Sequence, residues 1–388
     1  MAFQMIDVVV QWQVYALTHD KLALGLMGLA EALPNLAVAL YAGHVVDRHS
    51  RKGVGLIAIS VSFSVSIILV LVSHNVSSIY ASFGAWPFYL AAAVGGVASA
   101  FASPAMFALL SQLVPKELYA KASAWSSSTW QTGAIIGPAV GGLLFWLVGP
   151  TKTYMVAGSL ILSSILALSQ IVNKPFVSTH DKDESIGESL RNGIRFVFRD
   201  QIILSALSLD LFAVLFGGAV ALLPVFASDI LHVGPQGLGI LRAAPSIGAV
   251  MMALTLAHRS IGEQPGKKLL LAVAGFGVCM IVFAISENFY LTLFILMLSG
   301  ALDSISVVIR STILQLRTPD AMRGRVSSVN MMFIGSSNEI GAFESGVAAK
   351  LMGTVPSVIF GGCMTLLTVI SAAIFAPQLR RMKSEDLK

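Results

Sequence analysis

The sequence predicts an all-α polytopic membrane protein with twelve membrane-spanning helices. Apolar residues make up 56% of the 388-residue chain and charged residues only 12%, whereas a soluble domain carries roughly 25% charged residues. Twelve apolar runs follow one another along the chain, and a helix needs about 20 apolar residues to cross a bilayer. With a mean hydropathy of +0.81, most of the chain is expected to face lipid or other apolar helices.

The apolar runs fall into two sets of six, which we number segments 1 to 12. The first set lies at about residues 3–17, 22–46, 53–73, 84–113, 119–148 and 151–172. The second set lies at about residues 201–227, 236–258, 267–285, 289–316, 322–350 and 354–376.

The sequence therefore predicts an N-terminal domain (1–172), a linker (173–200) and a C-terminal domain (201–388) that ends in a short basic tail. The linker is too polar to span a membrane. Its second half, SLRNGIRFVFRD, is expected to form an amphipathic helix on the membrane surface.

The lysines and arginines predict the orientation of the chain. Twenty of the 25 lie in one set of loops or in the C-terminal tail, and the opposite loops hold only Lys21 and Lys152. Because basic loops are retained in the cytoplasm, both termini and the linker are predicted to be cytoplasmic. We therefore interpret the net charge of +5 as a topology signal and expect no nucleic-acid partner.

The two sets of segments resemble an internal repeat. A shift of 204 residues places Gly137 on Gly341 and Gly142 on Gly346. Parallel repeats of six helices, with a binding site near the membrane midplane, are a recognised plan for transporters. The spacing therefore favours a transporter.

Residues 43–52, GHVVDRHSRK, are expected to form a short charged loop between segments 2 and 3. Gly43 is expected to allow close helix packing, and Asp47 to lie at a helix N-terminus, where negative charge is favourable. The stretch resembles the signature loop between helices 2 and 3 of the major facilitator superfamily, which implies a cytoplasmic gating latch that includes the basic residues Arg48, Arg51 and Lys52. An ordinary basic cytoplasmic loop is the alternative.

Segment 5 contains a glycine-rich string, GAIIGPAVGG, at residues 133–142. Small residues at this spacing are expected to line one face and to let helices approach closely: Gly133, Gly137, Gly141 and Gly142. Pro138 removes a backbone hydrogen bond and is expected to bend the helix. The string resembles a helix 5 motif of superfamily antiporters, which is linked to export; plain tight packing is the alternative.

Eight ionisable residues lie inside the apolar runs: Asp7, Glu31, Asp210, Arg242, Asp303, Arg310, Glu339 and Glu344. Inserting each of them at the centre of a membrane helix costs about 2.5–3.5 kcal/mol, so eight such residues indicate a structural or functional role. A count from the helix ends places four of the acids nearest the midplane: Asp7, Glu31, Asp303 and Glu339. The same count places Arg242 near the outer surface and Arg310 toward the cytoplasm.

The acids allow two interpretations. A carboxyl group held away from water takes up a proton more readily, as proton-coupled transport requires, and Arg310 would then serve as a partner or an anion contact. The alternative for each acid is a structural ion pair between helices.

Residues 303–346, which lie within segments 10 and 11 and the loop between them, resemble the superfamily branch that contains the enterobactin exporter and macrolide efflux permeases. The resemblance implies a major facilitator fold of two six-helix bundles. It also implies a monomeric, proton-coupled exporter of a small amphipathic or hydrophobic molecule, of the drug or siderophore type, in a bacterial inner membrane. Arg323 and Arg325 occupy the place where the second half would mirror the gating contacts. Segment 1 is shorter than the family pattern, so its cytoplasmic part is expected to be missing.

Three other functions stay open: a lysophospholipid flippase or a facilitated importer of the same fold, and a non-transporting membrane enzyme or sensor. The sequence contains no nucleophile–base string and no metal-ligand spacing. Its two cysteines, Cys279 and Cys363, both lie inside apolar runs. We therefore expect no enzymatic activity, no cofactor and no metal.

Overall fold

A computed structural model describes most of the chain. The residues outside the description are 116–117, 173–185, 259–262, 320–321 and 384–388. The described residues are helical apart from short connections, and none of them lies in a strand. They form two compact units, the first comprising Met1–Lys182 and His232–Ala243, the second Asp183–Leu231 and Ala244–Lys388.

The helices of the first half of the chain follow the predicted segments closely. They are α1 (Ala2–Thr18), α2 (Lys21–Arg48), α3 (Arg51–His74), α4 (Val76–Phe83), α5 (Trp86–Leu113) and α6 (Tyr119–Ser169). Helix α6 contains both segment 5 and segment 6, which are separated at Gly149, where φ is 80° and ψ is 170°. A residue with a side chain is strained at such a positive φ, so glycine sets this break. The short helix α4 was not predicted.

The second half of the chain has nine helices among the described residues. They are α7 (Ile186–Arg199), α8 (Gln201–Gly217), α9 (Leu223–Val225), α10 (Gly234–His258), α11 (Pro265–Ile285), α12 (Phe289–Arg317), α13 (Arg323–Met352), α14 (Thr354–Phe375) and α15 (Pro377–Arg381). Helix α7 contains most of the predicted amphipathic stretch.

Segment 7 is not one continuous α-helix, contrary to expectation. Helix α8 ends at Gly217, and a 3₁₀ turn (Ala219–Leu222), the single turn α9 and a π turn (Phe226–Ile230) follow. Glycine weakens a helix, and Pro224 lacks the N–H that a continuing helix would need. Gly217, Gly218 and Pro224 together explain the interruption.

Nine helices among the described residues are long and apolar enough to cross a membrane. Helix α1 is not one of them because it has only 17 residues, and α13 contains two arginines, two glutamates and a lysine. Helix α6 counts once but holds two predicted segments. With α1, α13 and the second part of α6, the described helices account for all twelve segments.

Each unit has its own apolar core. In unit 1, Val14 of α1, Leu69 of α3 and Phe88 of α5 are buried in one cluster. In unit 2, Ile203 of α8 and Ile313 of α12 are fully buried in another. Since lipid tails are as apolar as these side chains, close packing rather than escape from water holds such helices together.

Helices α2 and α5 meet at backbone distance. A Cβ atom added at Gly96 of α5 would overlap the backbone oxygen of Glu31 in α2, whereas one added at the neighbouring Gly95 would have no described atom within 4 Å. Gly96 is therefore required by packing, and Gly95 is not.

This pair of glycines gives a matched test of the packing. We expect Gly96→Ala to destabilise the protein by about 1–3 kcal/mol, because α2 and α5 must move apart. Gly95→Ala should be neutral or slightly stabilising, because alanine is the better helix former. The apparent melting temperature of the detergent-purified variants measures both, and an equal effect of the two substitutions would contradict the close α2–α5 contact.

Candidate functional site: ionisable networks in each unit

Three polar side chains form a closed hydrogen-bonded ring in unit 1. Arg242 Nη2 lies 2.5 Å from Asp7 Oδ2, and Arg242 Nη1 donates to Gln11 Oε1 at 2.6 Å. Gln11 Nε2 donates in turn to Asp7 Oδ1 at 2.7 Å. The Asp7 side chain is 34% exposed and that of Arg242 15%, so this is a partly buried, charge-assisted network.

Local helix geometry explains how the ring forms. Asp7 and Gln11 are four residues apart in α1, so they lie on the same face, one turn apart. The arginine fork of Arg242, near the start of α10, reaches both because its N–H groups point in parallel directions. Counting from helix ends placed Arg242 near the outer surface and Asp7 near the midplane; in the structure the two are direct partners.

A second network lies in unit 2. Arg310 of α12 forms an ion pair with Asp210 of α8, and both side chains are buried. Asp303, two turns before Arg310 on α12, interacts electrostatically with both residues. The cluster therefore contains two carboxyl groups and one guanidinium. The spacing of Asp303 and Arg310 predicted that they would not pair directly, and the direct partner of Arg310 is Asp210.

The remaining predicted cavity acids lie on other helices. Glu31 is an exposed residue of α2, and Glu339 and Glu344 are half-buried residues of α13. The structure therefore brings together Asp210, Asp303 and Arg310 from the predicted set.

Residues 43–52 are mostly helical, which corrects the prediction of a ten-residue loop. Helix α2 runs to Arg48 and α3 begins at Arg51, so only two residues connect them. Ser50 caps α3 by accepting a hydrogen bond from Gly53 N at 3.2 Å, as serine commonly does at a helix start. The charged residues therefore extend the two helices instead of separating them.

The expected packing role of Gly43 is not seen. A Cβ atom added there would have no described atom within 4 Å, so no described contact requires glycine at this position.

Arg48, another residue of the predicted latch, is exposed. The side chains of Asp47 and Arg323 lie outside the described part of the structure.

Two basic residues of this stretch bind the ends of neighbouring helices. Arg51 Nη1 donates to Ala108 O of α5 at 3.0 Å. Lys52 Nζ donates to Ser169 O and Ile171 O, at the end of α6, at 2.8 and 2.6 Å. The Lys52 contacts lie at a helix C-terminus, where cations are favourable because carbonyl groups lack partners. These contacts fasten α3 to α5 and α6 within unit 1.

In unit 2, Arg325 lies near the start of α13. Its Nη1 lies 3.3 Å from Met322 Sδ. A Cβ atom added at Gly193 of α7 would lie 2.9 Å from the backbone oxygen of Arg325. Arg325 therefore marks the contact between α13 and α7.

The glycines of segment 5 face two helices, not one. Cβ atoms added at Gly133, Gly137 and Gly141 would come within 2.7–3.0 Å of Met1, Gln4 or Met5 at the start of α1.

Gly142 instead contacts α10. A Cβ atom there would overlap Pro235 O and come within 3.0 Å of Gly239 Cα, and one on Gly239 would overlap Pro138 O. The prediction of a single face was wrong for Gly142, because adjacent helix positions differ by about 100°. Pro138, where a bend was expected, lies inside α6. The residue of α6 with non-helical φ and ψ angles is Gly149.

Sequence analysis missed a buried polar network in unit 1. Tyr154 OH donates to Gln13 Oε1 at 3.0 Å, and Gln13 Nε2 donates to Ser73 Oγ at 3.1 Å. Thr151 Oγ1 donates to the same serine oxygen at 3.1 Å. The network ties α1 to α3 and to the second part of α6. A glutamine inside an apolar run was the available signal, but its partners lie far away in sequence.

The buried pair in unit 2 leads to a stability prediction. Arg310→Met should destabilise the protein by about 3–5 kcal/mol, because it leaves the carboxylate of Asp210 buried without its partner. The double variant Asp210→Asn/Arg310→Met should recover most of the loss. Thermal unfolding of the purified variants measures both.

Arg317→Met is the matched control for this prediction. Arg317 Nε donates to Asp200 Oδ2 at 3.0 Å, and both side chains are partly exposed, so its loss should cost about 0–1 kcal/mol. A double variant as unstable as Arg310→Met alone would contradict the ion-pair interpretation.

Comparison with protein families places the chain among membrane transporters. The family model described as transmembrane secretion effector, within the major facilitator superfamily, matches residues 2–388. Among curated proteins, the enterobactin exporter EntS of Shigella flexneri is 26% identical over 386 residues, which cover 98% of this chain and 89% of the relative. EntS of an Escherichia coli O1:K1 strain matches with the same identity and coverage.

Solved transporter structures share the fold. A D-xylose–proton symporter aligns with a TM-score of 0.74 at 14% identity, over 98% of this chain and 96% of the other. A bacterial homologue of the iron transporter ferroportin, in its inward-facing state, aligns with a TM-score of 0.72 at 16% identity, over 98% and 95%. The predicted twelve-helix fold is thereby confirmed.

Proposed function

Because the chain belongs to the transmembrane secretion effector family of the major facilitator superfamily, we propose that it exports a small amphipathic or hydrophobic molecule in exchange for protons. The family and the relatives are transporters and not enzymes. The family description and the names of the relatives support export, and enterobactin supports a siderophore-type substrate.

The observation that carries proton coupling is the ring of Asp7, Gln11 and Arg242. A proton on Asp7 removes its negative charge and leaves the guanidinium of Arg242 partly buried without a counter-ion. A charge that is partly removed from water and lacks a counter-ion is unfavourable. Protonation of Asp7 therefore favours a rearrangement of α1 and the start of α10.

The cluster in unit 2 supports the same proposal. With both carboxyl groups ionised, Asp210, Asp303 and Arg310 carry a net charge of −1, and one proton makes the cluster neutral. Because Asp210 is the direct partner of Arg310, Asp303 is the group that takes up the proton in this proposal. A membrane potential supplies about 2.3 kcal/mol per charge for each 100 mV.

The proposal includes a cytoplasmic latch, built from Asp47, Arg48 and Arg51 in the first half and from Arg323 and Arg325 in the second. Glu31, Glu339 and Glu344 complete the set of cavity acids. The protein acts as a monomer in the bacterial inner membrane, with both termini cytoplasmic and with the domain boundaries at 172 and 201. Its partners are the substrate, protons and lipid, without nucleic acid.

Transport into inverted membrane vesicles tests direction and coupling together. With an acidified lumen, vesicles that contain the protein should accumulate enterobactin or a lipophilic fluorescent drug, and a protonophore should abolish the accumulation. Vesicles without the protein provide the background. Accumulation that requires ATP, or uptake only in right-side-out vesicles, would overturn proton-driven export.

Neutralising substitutions test the two acids. Asp7→Asn and Asp303→Asn should each reduce proton-driven accumulation to the background level, because neither side chain can then exchange a proton. Glu287→Gln is the matched control, since Glu287 is an exposed residue between α11 and α12. Full proton-driven transport by the Asp303→Asn variant would exclude Asp303 as the proton carrier.

A further inference from the structure

Helix α7 has an exposed face that combines three arginines with two apolar side chains. Arg191, Arg195 and Arg199 are all exposed, and Ile194 and Phe198 are 38% and 59% exposed. At 100° per residue these five positions cover an arc of about 140°, with the apolar pair along one edge and the arginines along the other.

The opposite face of α7 is anchored in unit 2. Val197 is fully buried in the core of that unit. A Cβ atom added at Gly193 would come within 2.9 Å of Arg325 O, so the backbones of α7 and α13 are in close contact there. These two contacts set the rotation of the helix about its axis. The face with the arginines therefore cannot turn inward.

The end of α7 is tied to the start of a membrane-spanning helix. Asp200 Oδ1 accepts hydrogen bonds from Ile202 N and Ile203 N of α8, at 2.9 and 3.1 Å. Arg317, the last residue of α12, donates a hydrogen bond from Nε to Asp200 Oδ2 at 3.0 Å. Because α8 and α12 are spanning helices, α7 lies next to the membrane boundary, on the side where the basic residues concentrate.

We propose that this face of α7 binds anionic phospholipids of the cytoplasmic leaflet. Arginine forks match the geometry of phosphate groups, and exposed apolar side chains of an interfacial helix enter the boundary between headgroups and acyl chains. Ile194 and Phe198 favour a lipid over a soluble anion, because a soluble anion offers them no apolar surface. The inference does not depend on the transported substrate.

Lipid binding to the full-length protein tests this inference. The delipidated protein in detergent is titrated with dioleoyl phosphatidylglycerol or dioleoyl phosphatidylcholine, and mass spectrometry of the intact complexes gives the ratio of the two affinities. The triple variant Arg191→Gln/Arg195→Gln/Arg199→Gln should lower the preference for phosphatidylglycerol at least about fivefold, which corresponds to one basic residue near an anionic surface.

A second triple variant controls for the loss of charge. Lys267→Gln/Arg380→Gln/Arg381→Gln removes three exposed basic residues elsewhere in unit 2 and should leave the preference unchanged. An equal loss in both triple variants, or no loss in the α7 variant, would overturn the proposal. All six side chains are exposed, so both variants should elute as monodisperse helical proteins.

Two further measurements separate lipid from other anions. Ile194→Ser/Phe198→Ser should weaken the binding of both lipids while keeping the preference for phosphatidylglycerol. Glycerol 3-phosphate should fail to displace phosphatidylglycerol at equal concentration. Full displacement by glycerol 3-phosphate would instead indicate a soluble anionic partner. Unchanged lipid binding by the serine variant would contradict the role given to Ile194 and Phe198 and would overturn the proposal of a lipid-binding face.

Discussion

The cost of holding charge among apolar helices shapes both units of this protein. An unpaired ion away from water costs far more than a paired one, so Asp7 is held by Arg242 and Gln11, and Arg310 holds Asp210. A proton on the carboxylate would remove the charge that compensates the guanidinium, which is the basis of the proposed proton coupling. A single physical constraint thus explains why these residues are paired, and the proposed proton coupling rests on the same constraint.

The internal repeat is visible in packing as well as in sequence. Gly137 lies against the start of α1, and Gly341, its counterpart after a shift of 204 residues, lies against α8, where Leu215 O would be 2.8 Å from an added Cβ atom. The same contact therefore occurs in each half of the chain: a glycine in the fifth segment of that half faces its first segment. Small residues let the two backbones approach, so the equivalent glycines serve the same packing function.

Sequence reasoning predicted the segments well and their contacts poorly. Runs of apolar residues are local signals, so α3, α5 and α14 agree with the predicted bounds to within a few residues. The pairing of Asp210 with Arg310 joins residues 100 positions apart, and no local pattern reports it. The many charged residues at 43–52 suggested a loop. In the structure they belong to two helices, because Ser50 caps α3 and only two residues separate it from α2.

The contact of Gly96 with Glu31 has a mechanical consequence. At this point the backbones of α2 and α5 meet without a layer of side chains between them that could slide or repack. We therefore expect the two helices to move together as one rigid element whenever the protein changes shape. Bending is then left to the joints that the chain has elsewhere, such as Gly149 and the interrupted stretch after Gly217.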